Sequence, residues 1–258
     1  MASDDRDHFS KYLESMPADY RAAFDLEAAR AHEQIVRRRG ARPVHVELWR
    51  ELPERVVAIC VVADDRPGLL SCISAALVAD RIDVVGAHAY CRAREDGSVE
   101  AVDFLWIRRL PGPRGLANPI RTRDLDAIAQ AIERALVEGA PPVPSSAHVR
   151  SSEHPRVPDG ATARVRFETN EKDGSTILTV EAIDRPGLLL AVTQALFRAG
   201  LQIVGLRATT ERGRAVDRFT LAESDGTQLR RDRLLELQTA ILEAVDEGTL
   251  APLRRSAG

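Results

Sequence analysis

Cysteine is scarce in this chain. Cys60, Cys72 and Cys91 are an odd number with no CxxC spacing, which argues against a disulfide framework or a thiolate zinc site and favours a reducing compartment. Lysine is scarcer, with Lys11 and Lys172 alone, so nearly all basic charge is arginine; the net charge of -3 gives no electrostatic case for nucleic acid or an anionic membrane. Aromatics make up 4% of the residues, which disfavours RNA binding through stacked bases. No run of 18 apolar residues occurs, and the N-terminal MASDDRDHFSKYLE is too charged for a signal peptide. The expectation is a soluble, cytoplasmic protein with no membrane partner. Chemistry is equally sparse, because no nucleophile with a base, no metal cluster and no phosphate loop can be found. The histidines (His8, His32, His45, His88, His148, His154) lack metal-ligand spacing and read as solvated or capping. No cofactor, no metal and no enzymatic activity are expected.

What the chain does have is a repeat. ADDRPGLLSCISAAL, from Ala63, returns as AIDRPGLLLAVTQAL, from Ala182. Asp65 to Leu70 match Asp184 to Leu189, and Gly86 matches Gly205, at a constant offset of 119; Ala101 to Asp103 match Ala215 to Asp217 at 114. The two short deletions fall in Gly-, Pro- and charge-rich connections, so the elements between them are the structural unit. Length agrees, since 258 residues suffice for two modest cores.

Within each copy the apolar period switches between 2 and 3.6 in one order. Residues 44–64 read as a hairpin, repeated as ARVRFET, a turn EKDG and STILTVEAI. Leu70, Ile73 and Leu77, like Leu189, Val192 and Leu196, then share a helical face just behind a Pro suited to a first helical turn. Two strands (82–92 and 99–109; 202–210 and 214–222) and a second amphipathic helix complete each copy. The expected fold is α+β, two ferredoxin-like domains of order ββαββα with two helices on one face of an antiparallel sheet. The leading hairpin strand takes the edge that the last strand fills in the common βαββαβ order. The boundaries are an N-terminal helical segment 1–42, domain 1 at 43–140, a Pro- and Ser-rich linker 141–160 and domain 2 at 161–258.

One face of repeat 1 is too apolar to stand open. On the presumed outer sheet face repeat 1 carries Cys60, Val62, Val102, Phe104 and Trp106, whereas repeat 2 carries Thr179, Glu181, Arg218 and Thr220. An exposed patch of that kind needs a cover. The N-terminal segment, with Phe24, Ala28, Ala31 and Ile35 at helical spacing, is the predicted one, ahead of a partner subunit.

The motif D-R-P-G-L-L between a strand and a helix, with V-G in the next strand and V-D in the one after, resembles the ACT domain, a ligand-binding regulatory module. With the leading hairpin, it is similar to the tandem C-terminal ACT repeats of the PII uridylyltransferase/uridylyl-removing enzymes, bacterial nitrogen sensors. The resemblance runs from residue 43 onward. The nucleotidyltransferase and phosphohydrolase metal motifs of those enzymes are missing, so the chain looks like a sensor half without the catalytic half.

The resemblance implies a small amino acid, glutamine above all, bound between two such domains, with the strand-to-helix loop of one facing the second strand of the other. A helix start offers unpaired N–H groups to a carboxylate, and Gly leaves that approach open. Such an end is worth only about 0.3 to 2 kcal/mol, so an interface must supply the rest. Carried over by residue, the nominated site is Asp65, Arg66, Gly68 and Leu69 with Val85, Gly86 and Ala87, and Asp184, Arg185, Gly187 and Leu188 with Val204, Gly205 and Leu206. Asp65 and Asp184 either receive the ammonium group or complement their helix starts. Arg66 and Arg185 read as solvated rather than ligand-binding. Asp103 and Asp217 read as serving a sheet edge or turn. The competing expectation is a ligand-free assembly module that pairs with itself, as a homodimer, or with a larger enzyme of the PII pathway.

Overall fold

The computed structural model describes residues 2–112, 115, 117–139, 163–170 and 174–250. The linker expected at 141–160 and the turn at 171–173 lie outside the described residues. Three helices lead, α1 (Ala2–Ser15), α2 (Ala18–Ala23) and α3 (Leu26–Arg39). Repeat 1 follows as β1 (Val44–Glu51), β2 (Val57–Asp64), α4 (Leu69–Ala79), β3 (Ile82–Ala93), β4 (Val99–Arg109) and α5 (Thr122–Glu138). Repeat 2 has the same order: β5 (Arg164–Thr169), β6 (Thr176–Ile183), α6 (Leu188–Arg198), β7 (Leu201–Glu211), β8 (Arg214–Glu223) and α7 (Leu234–Leu250).

All eight strands join one antiparallel sheet, ordered β1-β2-β4-β3-β7-β8-β6-β5. The leading hairpin strand of each copy does lie at the outer edge. The halves meet where β3 pairs with β7, in the register Gly86↔Thr209, His88↔Arg207 and Tyr90↔Gly205. Because Gly86 corresponds to Gly205 and Tyr90 to Thr209, this register is that of a local two-fold axis through His88 and Arg207. One continuous core, with Ile59, Ile73, Leu105 and Ile132 from repeat 1 and Leu178, Val192, Phe219 and Ile241 from repeat 2, lies between the sheet and helices α4 to α7.

The opposite face is where the halves diverge. Cys60, Val62, Tyr90, Val102 and Phe104 are buried against Phe9, Tyr12, Met16, Tyr20, Ala29 and Ile35 of the leading helices. The predicted cover is therefore in place, though not as one helix. Phe24 ends α2 in an extended conformation, and the Asp25 carboxylate then accepts the Ala28 N–H at 2.8 Å to start α3. The buried stripe of α3 runs through Ala28, Ala29, His32, Ile35, Val36 and Arg39, while Ala31 is half-buried. Arg39, also buried, pins the end of α3 to the sheet through Glu100 and Asp64, each at 2.7 Å.

His32 corrects the expectation that the histidines are solvated or capping. It is fully buried among aromatic rings, and Tyr20 Oη lies 2.8 Å from its Nδ1. Burial, then the Arg50 charge, lowers its pKa to about 3. His45 is buried and His88 half-buried; His148 and His154 lie outside the described residues.

Candidate functional site

Each DRPGLL loop turns into its helix through a glycine in the left-handed region, Gly68 at φ 83° and Gly187 at φ 82°. Only glycine adopts that conformation without strain, and it, not the proline, holds the N-cap place. The loops are anchored alike: Asp65 N–H donates to Val99 and Asp184 N–H to Gly213, both at 2.9 Å. In the strands that pair across the two-fold, the register slips between Val84 and Gly86 and between Ile203 and Gly205. Val85 and Val204 are thus the extra residues of equivalent bulges, which re-aim a side chain.

These features meet crosswise. Asp184, Arg185, Gly187 and Leu188 of repeat 2 line a cavity of about 30 Å³ with Val85, Gly86, Asp83 and Ser74 of repeat 1. Asp65, Arg66, Gly68 and Leu69 of repeat 1 line its counterpart, about 20 Å³, with Val204, Thr193 and Phe197 of repeat 2. Each loop therefore faces the strand of the other copy. Ala87 and Leu206 are core residues, 1% and 4% exposed, and Gly205 lines a groove on the opposite sheet face; these three are not in the cavities.

Asp103 and Asp217 are, contrary to the sequence expectation. They lie on interior strands, are 4% exposed, and line the two cavities beside Asp65 and Asp184 respectively. Their signal lay in the alternation, because each is in phase with core residues, Ala101 and Leu105 or Ala215 and Phe219. Burial, then the Asp65 charge, pushes Asp103 well above the usual carboxylate range. Burial, then Asp184, raises Asp217 to about 7. Asp65 is raised too, by burial, against the hydrogen bonds that favour its charge.

Arg185 also departs from expectation. It is 8% exposed, and its guanidinium donates to the Val245 carbonyl of α7 at 2.9 Å, so burial lowers its pKa. Arg66 is exposed as expected.

The two cavities differ in ways that matter. A Cβ at Gly68 would lie 2.7 Å from the Phe197 ring, whereas one at Gly187 would meet only Val78, at 4.0 Å. Asp65 accepts from Gln202 at 2.9 Å. At the equivalent place the other cavity has Asp83, which pairs with Arg108 at 2.9 Å and leaves Asp184 without a side-chain hydrogen bond among the described residues. A buried serine hydroxyl without a partner among the described residues is common to both cavities, Ser74 in this one and Ser71 in its counterpart, a condition that costs free energy unless something supplies one. Among the described residues no cluster of His, Cys, Asp and Glu is placed to hold a metal ion, and no helix is long and apolar enough to cross a membrane.

Fold and site together define a tandem-repeat α+β protein with two acid-lined cavities, each shared between its halves. Its sequence is similar to the enzymes whose C-terminal repeats the DRPGLL motif resembles. It is 28% identical over 247 residues to the bifunctional uridylyltransferase/uridylyl-removing enzyme of Rhodospirillum rubrum, covering 92% of this chain and 25% of that protein. For the Gluconobacter oxydans enzyme the figures are 29%, 94% and 25%, and for that of Phenylobacterium zucineum 26%, 95% and 26%. The chain thus spans about a quarter of the length of the curated relatives it matches. No family model matches it.

Proposed function

We propose that the chain is a pair of ACT-type repeats forming a non-catalytic regulatory sensor in nitrogen or amino-acid control, and that it binds a small amino acid, glutamine foremost, between them. The observation that carries this reading is the crosswise pairing of each glycine-capped helix start with the other repeat's bulged strand around two buried carboxylates. The helix start suits the ligand's carboxylate. The aspartate pair suits its ammonium group, which would relieve two acids held close together.

The differences between the cavities favour the one at the repeat 2 loop. There Asp184 and Asp217 face the ligand's amine, Val85 and Gly86 form the wall, and Ser74 is free to bond a side-chain amide. In the counterpart the Phe197 ring crowds Gly68 and Gln202 already donates to Asp65. A cavity of about 30 Å³ is far below the roughly 300–1,000 Å³ of small-molecule pockets, so binding requires the loop and strand to separate. Occupancy then favours an altered arrangement of the repeats, which a PII-pathway protein or a second copy of the chain reads by its differential affinity.

Calorimetric titration of the chain with glutamine tests this. The expected result is one site per chain, weakened about 10- to 100-fold by Asp184→Ala, the worth of a hydrogen bond to a charged group, and little changed by Asp65→Ala. The small volume of both cavities favours a second reading, the ligand-free assembly module. No heat with any of the twenty amino acids, together with self-association or a stable complex with a PII-pathway enzyme, would establish that instead.

A further inference from the structure

The outer sheet face of repeat 2 borders a groove of about 450 Å³, distinct from the loop cavities. Its floor is β7 and β8, and Tyr90 and the α1–α2 corner, with Pro17 and Asp19, form one wall. In repeat 1 the places equivalent to Arg218 and Thr220 hold Phe104 and Trp106, packed beneath the leading helices. Repeat 2 exchanges them for a cation and a hydroxyl and leaves them open.

Arg218 stands directly opposite Arg207 in the β7–β8 ladder. Like charges so placed destabilise a sheet, and the one acid named in the groove, Asp19, forms no ion pair with either among the described residues. Both side chains are exposed. Among the described residues neither forms an ion pair, and Arg218 makes no side-chain hydrogen bond. Arg207 is nevertheless oriented, because its Nε–H donates to His88 Nε2 at 3.3 Å across the two-fold. Burial, then Arg207 itself, lowers the His88 pKa to about 4, so the imidazole remains a neutral acceptor at neutral pH. The terminal amino groups of Arg207 stay uncommitted.

We propose that this groove binds a small phosphate-bearing anion, gripped between the guanidinium groups of Arg207 and Arg218 with the Thr220 hydroxyl as a further donor. Planar guanidinium forks match tetrahedral oxyanions through paired charge-assisted hydrogen bonds. Asp19, in the same groove, opposes the anion and limits its affinity. The inference is independent of amino-acid binding at the loops. Its location at the β3–β7 junction puts the anion where the two repeats join.

The test is calorimetric titration of the whole chain with inorganic phosphate at ionic strength held constant with chloride, and with succinate as the carboxylate alternative. Saturable phosphate binding is expected, weakened at least about tenfold by Arg207→Gln or Arg218→Gln, tightened by Asp19→Asn, and unchanged by Arg164→Gln on the exposed edge strand β5. Arg218→Gln should also melt at or above the parent temperature without phosphate, since it removes a like-charge pair, which separates loss of binding from loss of fold. Absence of saturable binding, an equal loss in Arg164→Gln, or succinate binding more tightly than phosphate would overturn the proposal.

Discussion

Asp217 is buried on β8, and its pKa of about 7 against an ordinary 3.8 ties one residue to both stability and binding. For an acid raised on folding, ionisation in the native state is unfavourable. The cost is absent below about pH 4, grows as pH rises, and is complete above about 7. Asp217→Asn is therefore expected to stabilise the protein by roughly 1–4 kcal/mol at pH 8, with the gain vanishing near pH 4, as measured by denaturant titration at each pH. A gain that is flat with pH would show that Asp217 is charged in the native state or uncharged throughout. The same sign governs the ligand: an ammonium group beside Asp217 favours its ionised form, so glutamine affinity should rise between pH 6 and 8, with a proton released on binding. In the sequence the loop acids were legible because DRPGLL occurs twice, whereas Asp103 and Asp217 were not read as site residues. A strand acid in phase with core residues looks like an edge exception until the three-dimensional order shows its strand to be interior.

At the scale of elements, β2 and β6 show what the sequence carries plainly. VAICVVAD is buried along nearly all its length, whereas TILTVEAI alternates buried and half-buried; a strand covered on both faces needs an apolar run, and one with an open face needs alternation. That contrast predicted the cover over repeat 1, but not its break at Phe24 and Asp25, because helical spacing continues through a short non-helical turn. Nor did it predict His32 at the centre of the aromatic cluster, since a histidine in phase with Ala28 and Ile35 carries no polarity signal of its own burial. Deleting residues 1–41 would uncover Cys60, Val62, Val102 and Phe104, each buried apolar side chain being worth about 1.5–3 kcal/mol. The truncated chain is expected to aggregate or to bind a hydrophobic dye strongly. A truncation that stays monomeric with the parent's melting temperature would show that the cover contributes nothing.

At the scale of the whole molecule, the repeat announced two units but not their docking, because the pairing of β3 with β7 rests on backbone hydrogen bonds that no side-chain pattern specifies. In the eight-stranded order the two copies pair within the chain. With one sheet and one core across both halves, they should melt as a unit. Trp49 and Trp106, the only tryptophans, both lie in repeat 1, so their fluorescence reports that half alone. Ile241, 1% exposed on α7, lies in repeat 2, and Ile241→Ala should cost about 2–5 kcal/mol through lost packing. If the halves are coupled, the tryptophan-detected midpoint falls by about 5–15 °C in that variant, although no tryptophan has been touched. If they fold independently, it stays where it was, and the two-fold junction is then too weak to carry a signal from a ligand at one loop to the arrangement of the other repeat.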